Sequence, residues 1–438
     1  MATLIHGGHV VTMNAAREVF PGGFVLIGDD GRIASTGPQA GIPQGFLGVQ
    51  LDATGMIVLP GLVDAGHRPW EHLLMGWSGA ADPARCAAAA SALQDEEVRV
   101  AAHLAAAELA AGGVTTVLHH VPGAATAARL AAAIEAFDTH GLRQVACVDV
   151  AATGVDRVEG ACAQASGPLL RIALSVLSDP VSICTGAADE ARLVRAATLA
   201  ARHGLRLFTQ PGGSADDAQW QAAHRRLGRS AITHLMELGL LDSRWLIGDV
   251  DRLGPADLML MLESGCMGVA QPLSEAVRGR AHTRWTTLLR LGGHFAIGTG
   301  GPAASCTVDM VEEMKALVML QNTLNLDPTS MSAEAALEAA TLDGARALGL
   351  ADEIGSLEPG KQGDVVVFDM RAPHFQVSHK PISTFVCCGR ARDAHAVFVA
   401  GRCIHADGAP SRHDDRALAE AGLACRTALH ARLRAVAA

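Results

Sequence analysis

A group of polar side chains near residue 67 has the types and spacing to do chemistry. The apolar run 57–63 leads into His67, Arg68, Glu71 and His72, with Trp70 among them. A guanidinium is a fixed positive charge that can polarise a carbonyl oxygen, and an imidazole or carboxylate can accept a proton. The segment therefore predicts electrophilic or acid–base chemistry directly after a buried strand.

Other polar residues follow later apolar runs in the same way. They are His119, His120, Gln210, Asp249, Gln271, Glu275 and Cys306. In a barrel of parallel strands, residues at the carboxyl ends of the strands converge on one face, which carries the active site. We expect the residues of both groups to lie on that face.

The elements that must position these residues alternate along the chain. Short apolar runs at 114–118, 144–148, 170–174, 205–208, 245–247 and 295–298 precede Ala-rich helical segments such as 95–111 and 189–203. This alternation predicts an α/β fold with a (β/α)8 TIM-like barrel. Long helices are predicted at 307–325 and 332–347, after the last strand.

Both ends of the chain have a different texture, with short β-prone runs separated by glycine turns. The runs 3–6, 9–12 and 23–27 near the start resemble 364–368 and 396–400 near the end. We predict a composite β-sandwich domain from residues 1–55 and 355–408, a barrel over 56–354 and a C-terminal helix within 409–438.

Composition excludes several classes of partner. The net charge of -10 argues against nucleic acid and anionic membrane surfaces, and no apolar stretch is long enough to span a bilayer. The ten cysteines are scattered without a CxxC motif, which is typical of reduced thiols and favours a cytoplasmic protein. A small-molecule substrate is therefore expected, and a homodimer or higher homo-oligomer stays open.

Four segments resemble the amidohydrolase superfamily. They are residues 51–65 (LDATGMIVLPGLVDA), 298–303 (GTGGPA), 339–350 (AATLDGARALGL) and 354–368 (IGSLEPGKQGDVVVF). The branch most similar contains the cytosine, guanine and 8-oxoguanine deaminases and the triazine chlorohydrolases. The resemblance implies the barrel fold and a metal-activated water that attacks an sp² carbon.

The ligand positions that the resemblance implies carry other residues here. The His-x-His of the first strand corresponds to Gly66-His67-Arg68, and the remaining ligand positions to Gln210, Asp249 and Gly300. The position of the proton-shuttling Glu corresponds to Gly213. Glycine supplies no ligand atom, and Arg68 places a positive charge where a cation would lie. We therefore predict no metal and no other cofactor.

The same correspondence suggests roles for the polar residues. Arg68 and Asp249 occupy positions whose side chains converge, so we predict an ion pair between them. Arg68 is then the candidate electrophile, with His67, His119 or Asp249 as the general base. The predicted substrate contacts are Trp70, Glu71, His72, His120, Gln210, Gln271, Glu275 and Cys306.

Three functions are consistent with this pattern. The first is a metal-independent enzyme that hydrolyses, eliminates from or isomerises a small cyclic amide-like or N-heterocyclic substrate. The second is a non-catalytic relative that binds a ligand or an oligomer partner. The third is a metal-dependent aminohydrolase whose site is relocated among His67, His72, His119, His120 and Asp249.

Overall fold

The computed structural model describes most of the chain. The described residues are 1–77, 83–122, 126–154, 157–160, 167–176, 187–210, 221, 224–225, 227–250, 253–279, 283–376, 380–408 and 414–437. Gly213, the position that corresponds to the shuttle Glu, lies outside them. Among the described helices, none combines the length and the apolar character needed to cross a bilayer.

Eight parallel strands form the predicted barrel. They are β6 Leu62–His67, β7 Val114–His120, β8 Arg143–Asp149, β9 Leu170–Ser175, β10 Arg206–Thr209, β11 Trp245–Gly248, β12 Met267–Ala270 and β13 Phe295–Ile297. Backbone hydrogen bonds from Gly300 N to Gly66 O and from Arg68 N to Gly300 O join the carboxyl ends of the first and last strands, at 2.8 and 2.7 Å. The (β/α)8 architecture is confirmed, and β12 is a strand that the apolar pattern missed.

The helices predicted at 95–111, 189–203 and 307–325 are found close to those positions. The described α-helices surround and follow the barrel. They are α1 Pro83–Ala92, α2 Asp95–Ala111, α3 Ala127–Thr139, α4 Val150–Thr153, α5 Ala187–His203, α6 Ala231–Glu237, α7 Pro255–Ser264, α8 Pro272–Val277, α9 Trp285–Arg290, α10 Pro302–Ser305, α11 Met310–Asn325, α12 Ala333–Ala339, α13 Leu342–Leu348, α14 Pro381–Cys388 and α15 Asp415–Ala437. The single helix predicted at 332–347 is wrong. It divides into α12 and α13 at Thr341, where the carbonyl of Ala340 accepts a hydrogen bond from Val63 N at 2.8 Å.

Strands from both termini form a separate mixed sheet of eight strands. They are β1 Thr3–Val11, β2 Val19–Ile27, β3 Ile33–Gly37, β4 Val49–Asp52, β5 Met56–Pro60, β14 Val365–Asp369, β15 Ala394–Val399 and β16 Arg402–Ala406. A domain built from both termini is thus confirmed. Its strand β5 ends two residues before β6 begins, so the sheet leads directly into the first barrel strand.

Two apolar layers fix which way the barrel side chains point. An inner cluster fills the barrel and includes Val63, Leu118, Phe208 and Val269. An outer cluster lies between the strands and the surrounding helices and includes Phe137 of α3. Side chains alternate between these layers along each strand, so neighbouring polar residues at a strand end have different surroundings.

Candidate functional site

Arg68 and Glu71 form the charged centre of the barrel mouth. Arg68 directly follows β6, and Glu71 lies on the short 3-10 helix Pro69–Leu74. Arg68 Nε donates to Glu71 Oε1 at 2.5 Å, and the Glu71 side chain is 2% exposed. Arg68 therefore pairs with Glu71, three residues along the chain, and a direct ion pair between Arg68 and Asp249 stays a prediction.

Nearby carboxylates stabilise the charged form of Arg68. Burial opposes the charged form, but the carboxylate of Glu71 and then that of Asp249 outweigh it and raise the pKa of Arg68. Asp249 follows β11, is 3% exposed and has a φ of 49°, a left-handed conformation that is uncommon for residues other than glycine. The structure thus brings Asp249 close enough to Arg68 to act on it electrostatically.

Gln271 fills the space beside two of the glycines. A Cβ added to Gly66 would lie 3.5 Å from Gln271 Nε2, and one added to Gly300 would lie 2.7 Å from Gln271 Oε1. Gly300 also has a φ of 66°, which favours glycine. The carboxamide of Gln271 therefore lies between the ends of β6 and β13, and a side chain at Gly300 would have to displace it.

His120 and Gln210 complete the inward-facing set. The His120 ring meets Phe208 of the inner cluster edge-on at 4.5 Å. A Cβ on Gly248 would lie 2.9 Å from Gln210 Cγ and 3.0 Å from the Phe208 ring, so Gln210 covers the end of β11. Burial and then the Arg68 charge lower the pKa of His120 to about 3, which keeps this imidazole neutral.

These inward-facing residues share one property, which His67, His119 and several buried residues elsewhere in the described structure also have. Each has a buried polar atom without a hydrogen-bond partner in the described structure: Arg68 Nη2, Glu71 Oε2, His120 Nε2, Gln210 Nε2 and Gln271 Nε2. Leaving such an atom unpaired costs about 1–3 kcal/mol. Buried polar atoms usually have a partner in the protein or in water, so these five atoms make the barrel mouth a candidate binding site.

His119 points away from this site. Its ring stacks on Phe137 of α3 at a centroid distance of 4.2 Å, and its Nε2 donates to Gln144 Oε1 at 3.0 Å. The Gln144 amide donates to Ile134 O at 2.9 Å, which fixes its oxygen as the acceptor. Burial lowers the pKa of His119 to about 4. The predicted base His119 therefore lies in the outer layer as a packed, neutral residue.

His67, the last residue of β6, also makes its hydrogen bond on the outer side of the strand. Thr299 donates its hydroxyl proton to Asp64 Oδ2 at 2.5 Å, so its oxygen accepts from His67 Nδ1 at 2.8 Å. Asp64 further accepts from the backbone N–H groups of Gly66 and Thr299 at 3.0 and 3.1 Å. These bonds tie the ends of β6 and β13 together, and burial, then His72, lower the pKa of His67 well below its usual value.

The remaining predicted contacts are placed by packing or capping. Trp70 belongs to an apolar cluster with Leu73 and Leu429. His72 Nδ1 bonds to Pro69 O at 3.0 Å, and its Nε2 lies 3.5 Å from Glu108 Oε2 of α2. Glu275 and Cys306 have different surroundings. Glu275 Oε1 accepts from Gln271 N at 3.1 Å at the start of α8, whereas Cys306 is an exposed residue at the end of α10.

The side chains at the five implied ligand positions are a poor match to a divalent cation. Gly66 and Gly300 offer no ligand atom, and the Gln271 carboxamide occupies the space between them. Arg68 brings a positive charge to the same place. Only Gln210 and Asp249 carry oxygen atoms that could coordinate a metal, and zinc sites in proteins use at least three protein ligands.

A different cluster in the described part of the chain has metal-binding residue types. His294, Glu338 and Asp343 bring donor atoms within 4.8 Å of one another. They lie at the amino-terminal end of the barrel, because His294 precedes β13. Arg346 already ion-pairs with Asp343 and reaches Glu338 Oε1 at 3.4 Å, so a guanidinium occupies the centre of this cluster.

Two features of the mouth escaped prediction. Glu71 is a predicted substrate contact, but the sequence does not predict its pairing with Arg68, and it assigns no role to Gly301. A Cβ on Gly301 would lie 1.7 Å from Glu71 Oε2, so the carboxylate rests directly on this glycine. The pair Gly300-Gly301 before Pro302 was the available signal, since consecutive glycines often mark a close approach of other atoms to the backbone.

Comparisons with known proteins agree with this architecture. The profile of the Amidohydrolase family matches residues 57–404. The 5-methylthioadenosine/S-adenosylhomocysteine deaminase of Syntrophobacter fumaroxidans is 30% identical over 432 residues, covering 92% of this chain and 93% of its own. The enzyme of the same description from Symbiobacterium thermophilum is 27% identical over 417 residues, with 92% and 93% covered.

Solved structures show the same fold. An adenosine deaminase from Xanthomonas campestris with bound zinc superposes with a TM-score of 0.87 at 24% identity, covering 98% of both chains. The atrazine chlorohydrolase of Arthrobacter aurescens complexed with zinc gives 0.84 at 20% identity, covering 97% of this chain and all of that one. The profile match over most of the chain and the full-length relatives establish that this protein belongs to the amidohydrolase family.

Proposed function

We propose that this protein is a metal-independent amidohydrolase relative that binds a small cyclic amide-like or N-heterocyclic substrate at the barrel mouth and hydrolyses a carbon–nitrogen bond in it. The observation that carries the proposal is the set of buried, unpartnered polar atoms on five inward-facing residues. Apolar residues would fill a disused site at lower cost, because unpaired buried polar atoms destabilise the fold. The deaminase relatives support the bond type.

Arg68 is the electrophile in this proposal. Its Nη2 is buried and has no partner among the described residues, so it can donate to a substrate carbonyl oxygen or ring nitrogen. Negative charge that develops on that atom during attack is stabilised by the buried guanidinium. The raised pKa of Arg68 keeps this charge fixed throughout.

Asp249 is the general base. Asp249 follows β11 and acts electrostatically on Arg68 at the mouth. The other two candidates, His67 and His119, each hydrogen-bond in the outer layer. In the proposed step Asp249 takes a proton from water as the oxygen adds to the sp² carbon. The same proton then passes to the departing nitrogen, which leaves Asp249 ionised as before.

A non-catalytic binding protein is the second candidate. The observation that favours it is the Arg68–Glu71 pair, because a carboxylate on Nε reduces the net positive charge available to a substrate. Such a protein would bind the same class of ligand through the same atoms without turning it over.

One experiment separates these functions. Purified protein would be analysed for bound metals and then screened for turnover of cyclic amides and N-heterocycles, with and without a chelator. We expect less than stoichiometric zinc or iron and chelator-insensitive turnover. Stoichiometric metal, or activity lost on chelation, would refute metal independence. Ligand binding without any turnover would favour the non-catalytic protein.

The residue roles have their own test. Arg68→Met should abolish turnover in a protein that stays folded, and Arg68→Lys should rescue it poorly because an ammonium cannot reproduce the planar guanidinium. Asp249→Asn should lower kcat strongly, whereas His119→Gln should leave it nearly unchanged. Turnover that survives Arg68→Met would remove Arg68 from the mechanism.

A further inference from the structure

The contact between Arg68 and Glu71 uses one bond where two are available. The Nε–H and one Nη2–H of a guanidinium point the same way, so a carboxylate commonly accepts both. Here Oε1 of Glu71 accepts from Nε at 2.5 Å, while Arg68 Nη2 and Glu71 Oε2 both lack partners among the described residues. The pair therefore retains one buried donor and one buried acceptor.

Gly301 makes room for the Glu71 carboxylate in this position. The Glu71 carboxylate rests against the Cα of this residue, since an added Cβ would lie 1.7 Å from Oε2, 2.0 Å from Cδ and 2.4 Å from Oε1. The glycine leaves room for the carboxylate in this position. Its φ of -128° is open to any residue, so the backbone conformation does not require glycine there. Alanine would not fit at this position because its Cβ would overlap the Glu71 carboxylate.

A ligand that relieves both unpaired atoms must itself carry a matching pair. It needs an acceptor for Arg68 Nη2 and a donor for Glu71 Oε2, close together because both protein atoms belong to one hydrogen-bonded pair. A carbonyl with an N–H on the adjacent atom has this arrangement, as in a lactam, a cyclic urea or an imide. An ester or a ketone offers only the acceptor and would leave the charged oxygen unpaired.

We propose that Glu71 is a specificity-determining residue that accepts an N–H from the ligand while Arg68 donates to the neighbouring carbonyl oxygen, and that Gly301 is the positioning residue that keeps the carboxylate available. This inference rests on the proposed function in one respect, that the mouth binds a ligand. It does not depend on turnover. The Arg68–Glu71 pair would then bind secondary cyclic amides more tightly than ring compounds of the same size that lack the N–H.

The test compares two six-membered rings, δ-valerolactam and cyclohexanone, by ligand-observed NMR titration. The wild type should prefer the lactam by about tenfold or more, because a hydrogen bond to a charged group contributes about 1.5–3 kcal/mol. Glu71→Met should lose this preference, and Glu71→Gln should retain part of it because its amide oxygen can still accept. Arg68→Met should weaken both compounds.

Gly301→Ala is the decisive variant because it alters neither charged residue. The added methyl group must push the carboxylate off its position, so the lactam preference should fall to that of Glu71→Met. Gly254→Ala is the matched control. Gly254 also precedes a proline at a helix start, but a Cβ there would lie 3.8 Å from its nearest neighbour, Asp257 Oδ2. This control should keep the wild-type preference.

Each outcome decides the proposal. Equal binding of the two rings, no binding of either, or an unchanged preference in Gly301→Ala would overturn it. Thermal unfolding of the two alanine variants establishes that they are folded before the comparison is made. If the preference holds but no cyclic amide is turned over, the proposed enzymatic function fails while this inference stands. If cyclic amides are turned over but the lactam preference is absent, this inference fails while the proposed function stands.

Discussion

The two ends of the barrel differ in how completely their charged side chains are paired. At the amino-terminal end, Arg143 and Asp364 form a two-bond ion pair at 2.9 and 3.3 Å with side chains that are 3% and 1% exposed. There Arg346 also bonds Asp343, and Arg206 donates to two carbonyl oxygens. At the carboxyl-terminal end, the inward polar residues keep unpaired atoms.

The paired groups at one end stabilise the fold, whereas the unpaired groups at the other end cost stability. Satisfied polar groups hold the barrel to the terminal sheet, because Arg143 begins β8 while Asp364 directly precedes β14 and also accepts from Ala400 N. Unsatisfied groups cost free energy that only a bound molecule or water can return. A barrel that is well bonded at its amino-terminal end can tolerate unpaired polar atoms at its carboxyl-terminal face, which is the face that carries the active site in enzymes of this fold.

The largest effect is expected from breaking the ion pair at the amino-terminal end. Arg143→Met should lower the free energy of unfolding by about 3–5 kcal/mol, because it leaves the buried Asp364 carboxylate without its counter-charge. Chemical denaturation measures this. The double variant Arg143→Met with Asp364→Asn should recover much of the loss, and a single-variant cost below about 1 kcal/mol would contradict the comparison.

The pH dependence of stability tests whether His119, in the outer layer, is buried as a neutral imidazole. Burial lowers the pKa of His119 to about 4 from 6.5, so between these values the unfolded chain binds a proton that the folded protein does not. Stability should therefore rise with pH across this window, by on the order of 3 kcal/mol from this residue. His119→Gln should flatten the rise when denaturation midpoints are compared at pH 4.5 and 7.

Asp64 contributes an opposing pH dependence that is common to both proteins in that measurement. Burial, opposed by the Thr299 hydroxyl, raises its pKa from 3.8 to about 6, so its contribution to stability is present below pH 3.8 and is lost as pH rises through 6. This trend runs against that of His119 and is the same in wild type and variant. An identical pH slope in the two proteins would show that His119 is not buried as a neutral imidazole.

Two buried glutamines allow a matched comparison of smaller effects. Gln271→Leu at the mouth removes an unpaired amide and should stabilise the protein by about 1 kcal/mol. Gln144→Leu removes an amide that bonds both His119 and Ile134 O, and should destabilise it by about 1–3 kcal/mol. Opposite signs in denaturation experiments support the comparison, and the same sign for both would break it.

The smallest effect is expected at His294 of the amino-terminal end. The hydrogen bond from His294 to Asp343 raises the pKa of this half-exposed imidazole above 6.5. Its contribution is therefore fully present below pH 6.5 and is lost as pH rises through the folded pKa. His294→Gln should lower stability by less than about 1 kcal/mol at pH 5.5 and leave it unchanged at pH 8.5. Equal losses at both pH values would exclude a charge effect.

Much of the fold could be predicted because it follows from local patterns. The six apolar runs before Ala-rich helices correspond to the barrel strands β7, β8, β9, β10, β11 and β13. The strand β12 escaped notice because Met267–Ala270 is short and includes Gly268, on which the Trp285 ring packs. The break at Thr341 depends on a hydrogen bond to Val63, more than 270 residues away, which no local pattern encodes.

The sequence by itself determined which polar residues reach the strand ends and that the family's ligand positions had changed. Only the tertiary structure decided which of them face one another, because neighbours such as His119 and His120 enter opposite layers of the barrel. It also decided that Arg68 pairs with Glu71, whose carboxylate is seated on Gly301. Hydrogen bonds depend on distances of tenths of an ångström, and residue order does not fix those distances.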